Sequence, residues 1–261
     1  MKNSSPSQGI HSISKALSIL LTFTAEEPYL RVSDIASKLN MTPSTVSRHL
    51  NTMLDMDFIA RDDATGSYHL SNALISLSGI ALSSYDIYRH AYPETQRLST
   101  ATSLHTYLGV PYSSNRFIYL ASVGGTETMD LFTPIGQTNP LYCTAIGKII
   151  LANKSPNALE HYLKTEPLIN FAPNTITNPE RLKKALCLVR TKGYATICDE
   201  FTPGKASVAA PIFNRNHKLE GAISVSGSID QVELDTREKE LARIVVKTAN
   251  KISGYLGYHP R

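Results

Sequence analysis

The sequence predicts an α+β protein whose N-terminal part is a winged helix-turn-helix. Within the first 72 residues, three short amphipathic patterns are followed by a pair of strand patterns. Beyond His90, short strands separated by turns mix with helix-like stretches, the pattern of helices flanking a sheet. The length of 261 residues suits two domains of roughly 100–200 residues each. At 42% hydrophobic and 18% charged, the chain can bury packed cores, which excludes a disordered, collagen-like or disulfide-stapled class. We expect a flexible tail over 1–11, the winged helix-turn-helix over 12–72, a linker helix over 73–90 and a second domain over 91–261.

Residues 1–11 are polar, Ser-rich and Pro-broken, as a loose tail would be. Lys15 and the apolar run Ala16 to Phe23 have the length of a signal-peptide core. No small-residue cleavage pattern follows, however, and Ile13, Leu17, Leu20 and Leu21 recur at the spacing of one buried helical face. The second helix runs from Ser33 to Leu39, with Ser33 as N-cap and Ile35, Ala36 and Leu39 facing inward. Asn40 tolerates the left-handed conformation that ends a helix. Thr42 caps the third helix and Pro43 suits its first position, where a backbone N–H would be unpaired anyway. Val46, Leu50, Met53 and Leu54 form its apolar face. The short connection between the two helices forces a sharp crossing, and Ala36 is small enough to permit it. Phe58–Arg61 and Ser67–Leu70 read as strands joined by the turn-rich loop Asp62 to Gly66. Leu70, Leu74, Leu77 and Ala81 continue as a helix leading out, which Pro93 bends or restarts.

In the second part, Thr106–Val110 and Phe117–Ser122 read as strands, and Ala145–Asn153 and Pro179–Lys192 as helices. Leu182, Leu186 and Val189 share a face, and Gly193 is a stop signal. Ala206–Phe213 and Gly221–Ser226 are strands around the turn Asn214 to Lys218. A closing helix from Thr236 to Leu256 carries Leu241, Ile244, Val245 and Ile252. No internal repeat is visible.

A helix-turn-helix implies double-stranded DNA as a partner, because its second helix enters the major groove and shows its N-terminal residues to base edges. Those residues are Thr42, Ser44, Thr45, Ser47, Arg48 and His49. Arg48 either reads guanine O6 and N7 or holds a phosphate; the plainer alternative is a capped surface helix. Charge gives little help. The chain carries +4, yet residues 1–75 hold six Lys and Arg against seven Asp and Glu, a balance of −1. Phosphate affinity grows with the number of charges neutralised, so one copy binds weakly. A dimer with two recognition helices one helical turn apart is the remedy. The two wing aspartates make Arg61 and Thr65 the expected wing contacts.

Enzyme signatures are thin. Ser12-Ile13-Ser14-Lys15 spells serine–x–x–lysine without companion motifs, and Gly221 to Gly227 lacks the nucleophile-elbow spacing. Gly147-Lys148 has no upstream glycine at phosphate-loop distance, and no paired-Cys or His-Glu-x-x-His metal site occurs. No catalytic residue, metal or cofactor is therefore expected. Cys143, Cys187 and Cys198 lack pair spacing, which fits a reducing cytoplasm. No apolar run approaches the roughly 18 residues that span a bilayer, so no membrane partner is expected.

A ligand pocket is the better prospect. Ser224 and Ser226, two apart on a strand, point to one face. If that face is internal, their hydroxyls suit a carboxylate, with Lys205 and the backbone N–H groups near Ala145 and Ile146 as further donors. The alternative is solvent exposure on an edge strand.

From Ser12 to about Gly227 the chain resembles the IclR family of bacterial transcription regulators. In the first part the likeness rests on Ser12 to Leu20, Ile35-Ala36, Ser44-Thr45-Val46-Ser47-Arg48 and Tyr68-His69-Leu70. In the second part it rests on Pro140 to Lys148, Thr175-Ile176-Thr177, Val189 to Ala195, Asp199-Glu200, Ala209 to Phe213 and Ala222 to Gly227. The resemblance implies a winged helix joined by a helical linker to an effector-binding domain, with a curved antiparallel sheet similar to GAF and PAS modules and flanked by helices. It implies dimers or dimers of dimers that usually repress catabolic operons in response to small organic, aromatic or sugar-derived acids. Carried onto this chain, the family pocket falls on Ala145, Ile146, Ser224 and Ser226. The chain departs from the pattern at Ser207, where cysteine is frequent, at Lys205, where a hydrophobic residue is usual, and at Ile197, an acidic position in some members. Pro43 and His49 depart within the recognition helix. The expectation is a cytoplasmic, homo-oligomeric repressor controlled by a small anionic metabolite. The alternative is a small-acid-binding module or enzyme whose winged helix mediates protein contacts.

Overall fold

The computed structural model describes residues 11–124, 133–232 and 235–259, and the chain divides after Ser84 into two compact units. Apart from His11, the predicted tail lies outside the described residues; His11 itself opens the first helix.

The first unit contains α1 (His11–Leu20), α2 (Val32–Leu39), α3 (Pro43–Asp55), β1 (Ile59–Arg61), β2 (Tyr68–Leu70) and α4 (Asn72–Ser83). Its core gathers Ile19, Phe23, Leu30, Ile35, Val46, Leu50, Met53, Ile59 and Tyr68. The expected inward face of α1 is corrected here. Of the expected face, Leu20 packs partly buried against the core, but Ile13, Leu17 and Leu21 are exposed, and Ile19 and Phe23 are buried instead. The helix is apolar on two stripes, and periodicity alone cannot say which one the core takes. Ser33 is not the cap of α2. The helix starts one residue earlier, and the Arg31 backbone N–H donates to Asp34 Oδ2 at 2.8 Å. Asn40 is left-handed as expected (φ 50°), and the Met41 N–H donates to the Ala36 carbonyl at 2.9 Å, which closes the turn into α3. β1 and β2 pair antiparallel, and Leu30 adds a bridge to Tyr68. α4 buries none of its residues. The expected break at Pro93 falls instead at Ser84–Tyr85, between α4 and the next helix.

The second unit begins with α5 (Asp86–Thr102), which holds Pro93 in its interior. Then follow β3 (His105–Pro111), β4 (Arg116–Val123), β5 (Thr138–Pro140), α6 (Ala145–Ala152), α7 (Pro156–Thr165) and α8 (Pro179–Lys192). β6 (Ala195–Cys198), β7 (Lys205–Phe213), β8 (Leu219–Ser228), α9 (Ile229–Val232) and α10 (Asp235–Tyr255) complete it. Four of these elements escape the sequence reading: β5, β6 and α9 are too short to display a period, and α7 buries only Leu159 and Tyr162, too sparse an apolar face to stand out. The six strands form one antiparallel sheet in the order β5-β4-β3-β8-β7-β6. Register shifts at Leu108/Gly109 and Ile212/Phe213 curve it. Helices α5 and α10 cover one face; α6, α7 and α8 build the core on the other, around Tyr107, Ala209 and Ala222. This second face carries the cavity.

Candidate functional site

Two places in the chain gather the predicted residues, one in each unit. On α3, Thr42 caps the helix by accepting the Thr45 N–H at 3.3 Å. Its hydroxyl also lies 2.8 Å from that of Thr45 and 3.2 Å from that of Ser44. Val46, Leu50 and Met53 turn inward, which leaves Thr42, Ser44 and Arg48 exposed. Among the described residues Arg48 has no ion-pair partner, so its guanidinium is available to an anion or a base edge. Thr45, Ser47 and His49 are only half-exposed and flank that surface. The sequence reading missed Asn51 and Thr52, which continue the exposed face one turn on; the 3.6-residue period from Ser44 through Arg48 was the signal for them.

At the wing, Arg61 and Thr65 are exposed. The Arg61 guanidinium lies 5.9 Å from the Tyr68 ring centroid, and the Thr65 hydroxyl is 2.6 Å from that of Ser67. Asp62 folds into its own loop. Its carboxylate accepts the N–H groups of Ala64 (2.9 Å) and Thr65 (2.8 Å), and the Thr65 amide leads in holding its pKa below the usual carboxylate value. This aspartate stiffens the wing tip by satisfying it.

In the second unit a cavity of about 190 Å³ lies against the α6 side of the sheet. All seven residues expected there, Ala145, Ile146, Ile197, Lys205, Ser207, Ser224 and Ser226, line it. The edge-strand alternative for the paired serines falls away, since β8 is central in the sheet and both serines are buried. Their hydroxyls differ. Ser226 Oγ lies 2.5 Å from Ser207 Oγ. Ser224, 3% exposed, faces the cavity with no hydrogen-bond partner among the described residues.

α6 aims its N-terminus at this cavity. Thr144 Oγ1 accepts the Gly147 N–H at 3.2 Å and donates to the Pro140 carbonyl at 2.8 Å. A Cβ at Gly147 would stand 2.2 Å from the Leu141 carbonyl oxygen, so only glycine lets the helix begin this close to the preceding turn. Among the described residues the Ala145 and Ile146 N–H groups have no backbone acceptor, which is the anion-receptive end of a helix.

The phenols of Tyr107 and Tyr119 also line the cavity. Burial pushes Tyr107 up to about 12 and Tyr119 up as well, so both stay protonated donors at neutral pH. Thr133 hydrogen-bonds Tyr107, and Asn139 Nδ2 donates to the Tyr119 hydroxyl at 3.3 Å. Neither tyrosine was singled out from the sequence, where nothing says that β3 lies beside β8. Behind the cavity, Lys148 Nζ donates to both Glu200 oxygens at 2.5 and 2.6 Å in a buried pair. Burial pushes the Glu200 carboxyl up, against the pull of Lys148. This pair ties α6 to the loop that brings Phe201 and Thr202 to the cavity wall. Among the described residues no cluster of three metal-ligating side chains occurs, and no helix is long and apolar enough to cross a membrane.

Residues 12–63 match the family model of the IclR helix-turn-helix domain, and residues 79–254 that of the bacterial transcriptional regulator IclR C-terminal domain. The HTH-type transcriptional regulator BhcR of Paracoccus denitrificans is 31% identical over 255 residues, 98% of this chain and 90% of that protein. The crystal structure of an IclR transcriptional regulator from Alicyclobacillus acidocaldarius is similar with a TM-score of 0.85 at 28% identity, covering 95% of this chain and 99% of that one. An IclR homolog from Microbacterium hydrocarbonoxydans, solved as a complex with 4-hydroxybenzoate, shares the fold with a TM-score of 0.82 at 22% identity. That likeness covers 94% of this chain and 99% of that one.

Proposed function

The chain belongs to the IclR family of bacterial transcriptional regulators, and on that premise we propose that it is a cytoplasmic repressor of a catabolic operon, released by a small anionic metabolite. The observation that carries the effector half is the convergence of the seven residues on one cavity, with the Ser224 hydroxyl buried and unpaired. A volume of about 190 Å³ falls below the roughly 300–1,000 Å³ of drug-sized sites, which favours a small acid. The complex of the Microbacterium homolog with 4-hydroxybenzoate supports a carboxylate as the kind of guest.

The operator half rests on α3, with Thr42, Ser44, Thr45, Ser47, Arg48 and His49 facing DNA and Arg61 and Thr65 supporting from the wing. A homodimer, or a dimer of dimers, is the assembly we infer. The exposed stripe of α1, with Ile13 and Leu17 each 54% exposed, and that of α4, with Ile75 69% exposed, are apolar surface that a second copy would cover. The GAF- and PAS-like reading of the second unit is supported by its curved antiparallel sheet with helices on both faces. Family members are regulators and not enzymes, so the rival reading of a winged enzyme loses its ground.

The switch is a coupling of two equilibria. The guest alters operator affinity only through its different affinity for the two arrangements of the dimer. A coupling of about 1–3 kcal/mol changes operator affinity roughly 5–150-fold. A footprint on DNA flanking the protein's own coding region, repeated with a panel of small acids, tests the whole proposal. We expect protected half-sites one helical turn apart, relieved by one class of acid. Absence of protection on every fragment, with and without acids, would overturn it. The double substitution Ser224→Ala and Ser226→Ala should abolish relief by the acid, and calorimetry showing unaltered ligand affinity would reject the cavity.

A further inference from the structure

The register of β8 sets the polar groups of the cavity in a line. Gly109 pairs with Ala222, Tyr107 with Ser224, Ser207 with Ser226 and Lys205 with Ser228. Ile146 Cγ2 lies 3.0 Å from where a Cβ on Gly109 would stand, so the N-terminus of α6 belongs to the Ala222 level. Lys205 stands at the opposite end, beside Ser228. One anion receptor is thus a pair of helix N–H groups and the other an ammonium, with the hydroxyls of Ser224, Ser226, Ser207 and Tyr107 between them. Ser224, buried and unpaired, is a donor awaiting a partner in that middle stretch. Lys205 is the one charged side chain in the described lining, and no carboxylate among the described residues pairs with it.

The span between the ends sets a length. Ala222 and Ser228 are about 20 Å apart along the strand, and the lysine stem reaches back by roughly one pleat, about 6.5 Å. Hydrogen-bond contacts of about 3 Å at each end leave roughly 7–8 Å between the two anionic carbons, the extent of a chain of about six carbons. On the reading of this cavity as the effector site, we infer that its guest is a hydroxylated α,ω-dicarboxylate, one carboxylate on the α6 N-terminus and the other on Lys205. A phosphate at the Lys205 end would bring a second negative charge to a single ammonium, so the carboxylate is the better match. As the one charged side chain in the described lining, at the end opposite the α6 N-terminus, Lys205 is the specificity-determining residue.

The test is calorimetry on the full chain with four probes: galactarate, adipate, gluconate and 6-phosphogluconate. Galactarate should bind at least tenfold more tightly than gluconate, with adipate between them and 6-phosphogluconate no better than gluconate. Lys205→Met should collapse the galactarate-to-gluconate ratio to near one, and Lys205→Arg should restore most of it. Equal wild-type affinities for galactarate and gluconate, or an unchanged ratio in Lys205→Met, would overturn the two-ended site. Adipate as the tightest ligand would overturn the hydroxylated middle, and 6-phosphogluconate as the tightest would replace the second carboxylate by a phosphate. If none of the four binds, the effector reading of the cavity itself fails, a different result from binding without preference.

Discussion

The recognition helix and the ligand cavity both display serine and threonine hydroxyls, but they treat them in opposite ways. At the start of α3 the hydroxyls of Thr42, Ser44 and the half-exposed Thr45 bond one another, with Thr42 capping the helix, and at the wing Thr65 bonds Ser67. In the cavity Ser224 is 3% exposed, and its hydroxyl has no protein partner among the described residues and lines the open space. A surface hydroxyl can exchange a neighbour for water or a phosphate at little cost, whereas a buried one without a partner costs about 1–3 kcal/mol. On the proposed function, the first site is complete before its ligand arrives, and the second would be completed by it. The difference teaches where to expect tolerance: the α3 surface should lose affinity on truncation but keep its fold, whereas the buried ion pair that braces the cavity wall should cost stability when one partner is removed.

The sharpest way to break this contrast is at Lys148. Its ammonium is buried against Glu200 and anchors the cavity wall to α6. Lys148→Met leaves a buried carboxylate without its partner and should cost about 3–5 kcal/mol of unfolding free energy. Replacing both members, as Lys148→Met with Glu200→Leu, should recover most of that loss, because the pair's desolvation cost leaves with it. The pair also sets a pH dependence. Burial raises the Glu200 pKa, so between the ordinary carboxylate value and the raised one the folded state keeps a proton that the unfolded state has released. Stability then falls as pH rises through that window, and the double variant should lack the slope. Denaturant unfolding across a pH series checks both points; a single variant costing under about 1 kcal/mol would place the cavity wall in the same class as the surface.

The next test lies on the other side of the comparison. Arg48→Ala should weaken operator binding by about 1–3 kcal/mol and reduce the salt slope by about one unit, with no change in unfolding free energy. Equal weakening on every sequence would make Arg48 a phosphate contact, and relaxed discrimination at one base pair would make it a guanine reader. Gel-shift affinities over a salt series, on operator and scrambled fragments, distinguish the two. Unchanged affinity throughout would remove α3 from the interface.

The same division explains what could be read beforehand. The crossing of α2 and α3 was legible because its signals are local: Asn40 to end one helix, Thr42 and Pro43 to start the next, and Val46, Leu50 and Met53 to set the face. α1 was misread because two of its stripes are apolar, and choosing between Leu17 and Ile19 needs the tertiary core. In the cavity, strand alternation singled out the serine pair, with Lys205 and the N–H groups near Ala145 and Ile146 as further donors, and the family resemblance added Ile197 and Ser207. Tyr107 escaped because its neighbour Ser224 is more than a hundred residues away in the chain, brought beside it only by the strand order. The Lys148–Glu200 pair, 52 residues apart, was hidden for the same reason.

The smallest expected effect is also the most direct measure of the contrast between the two sets of hydroxyls. Thr42→Ala removes a cap that the Thr45 N–H uses, and should cost about 1 kcal/mol, with Thr42→Ser losing much less. Amide exchange at Thr45 should accelerate in step. Ser224→Ala, measured without ligand, removes a hydroxyl that has no partner to lose, so it should leave stability unchanged or raise it slightly. Opposite signs for two substitutions that each delete one hydroxyl oxygen would follow only if one hydroxyl is already satisfied and the other is waiting. If both variants lost stability equally, Ser224 would have a partner in the free protein, and the cavity would be a structural hydrogen-bond site rather than one completed by a guest.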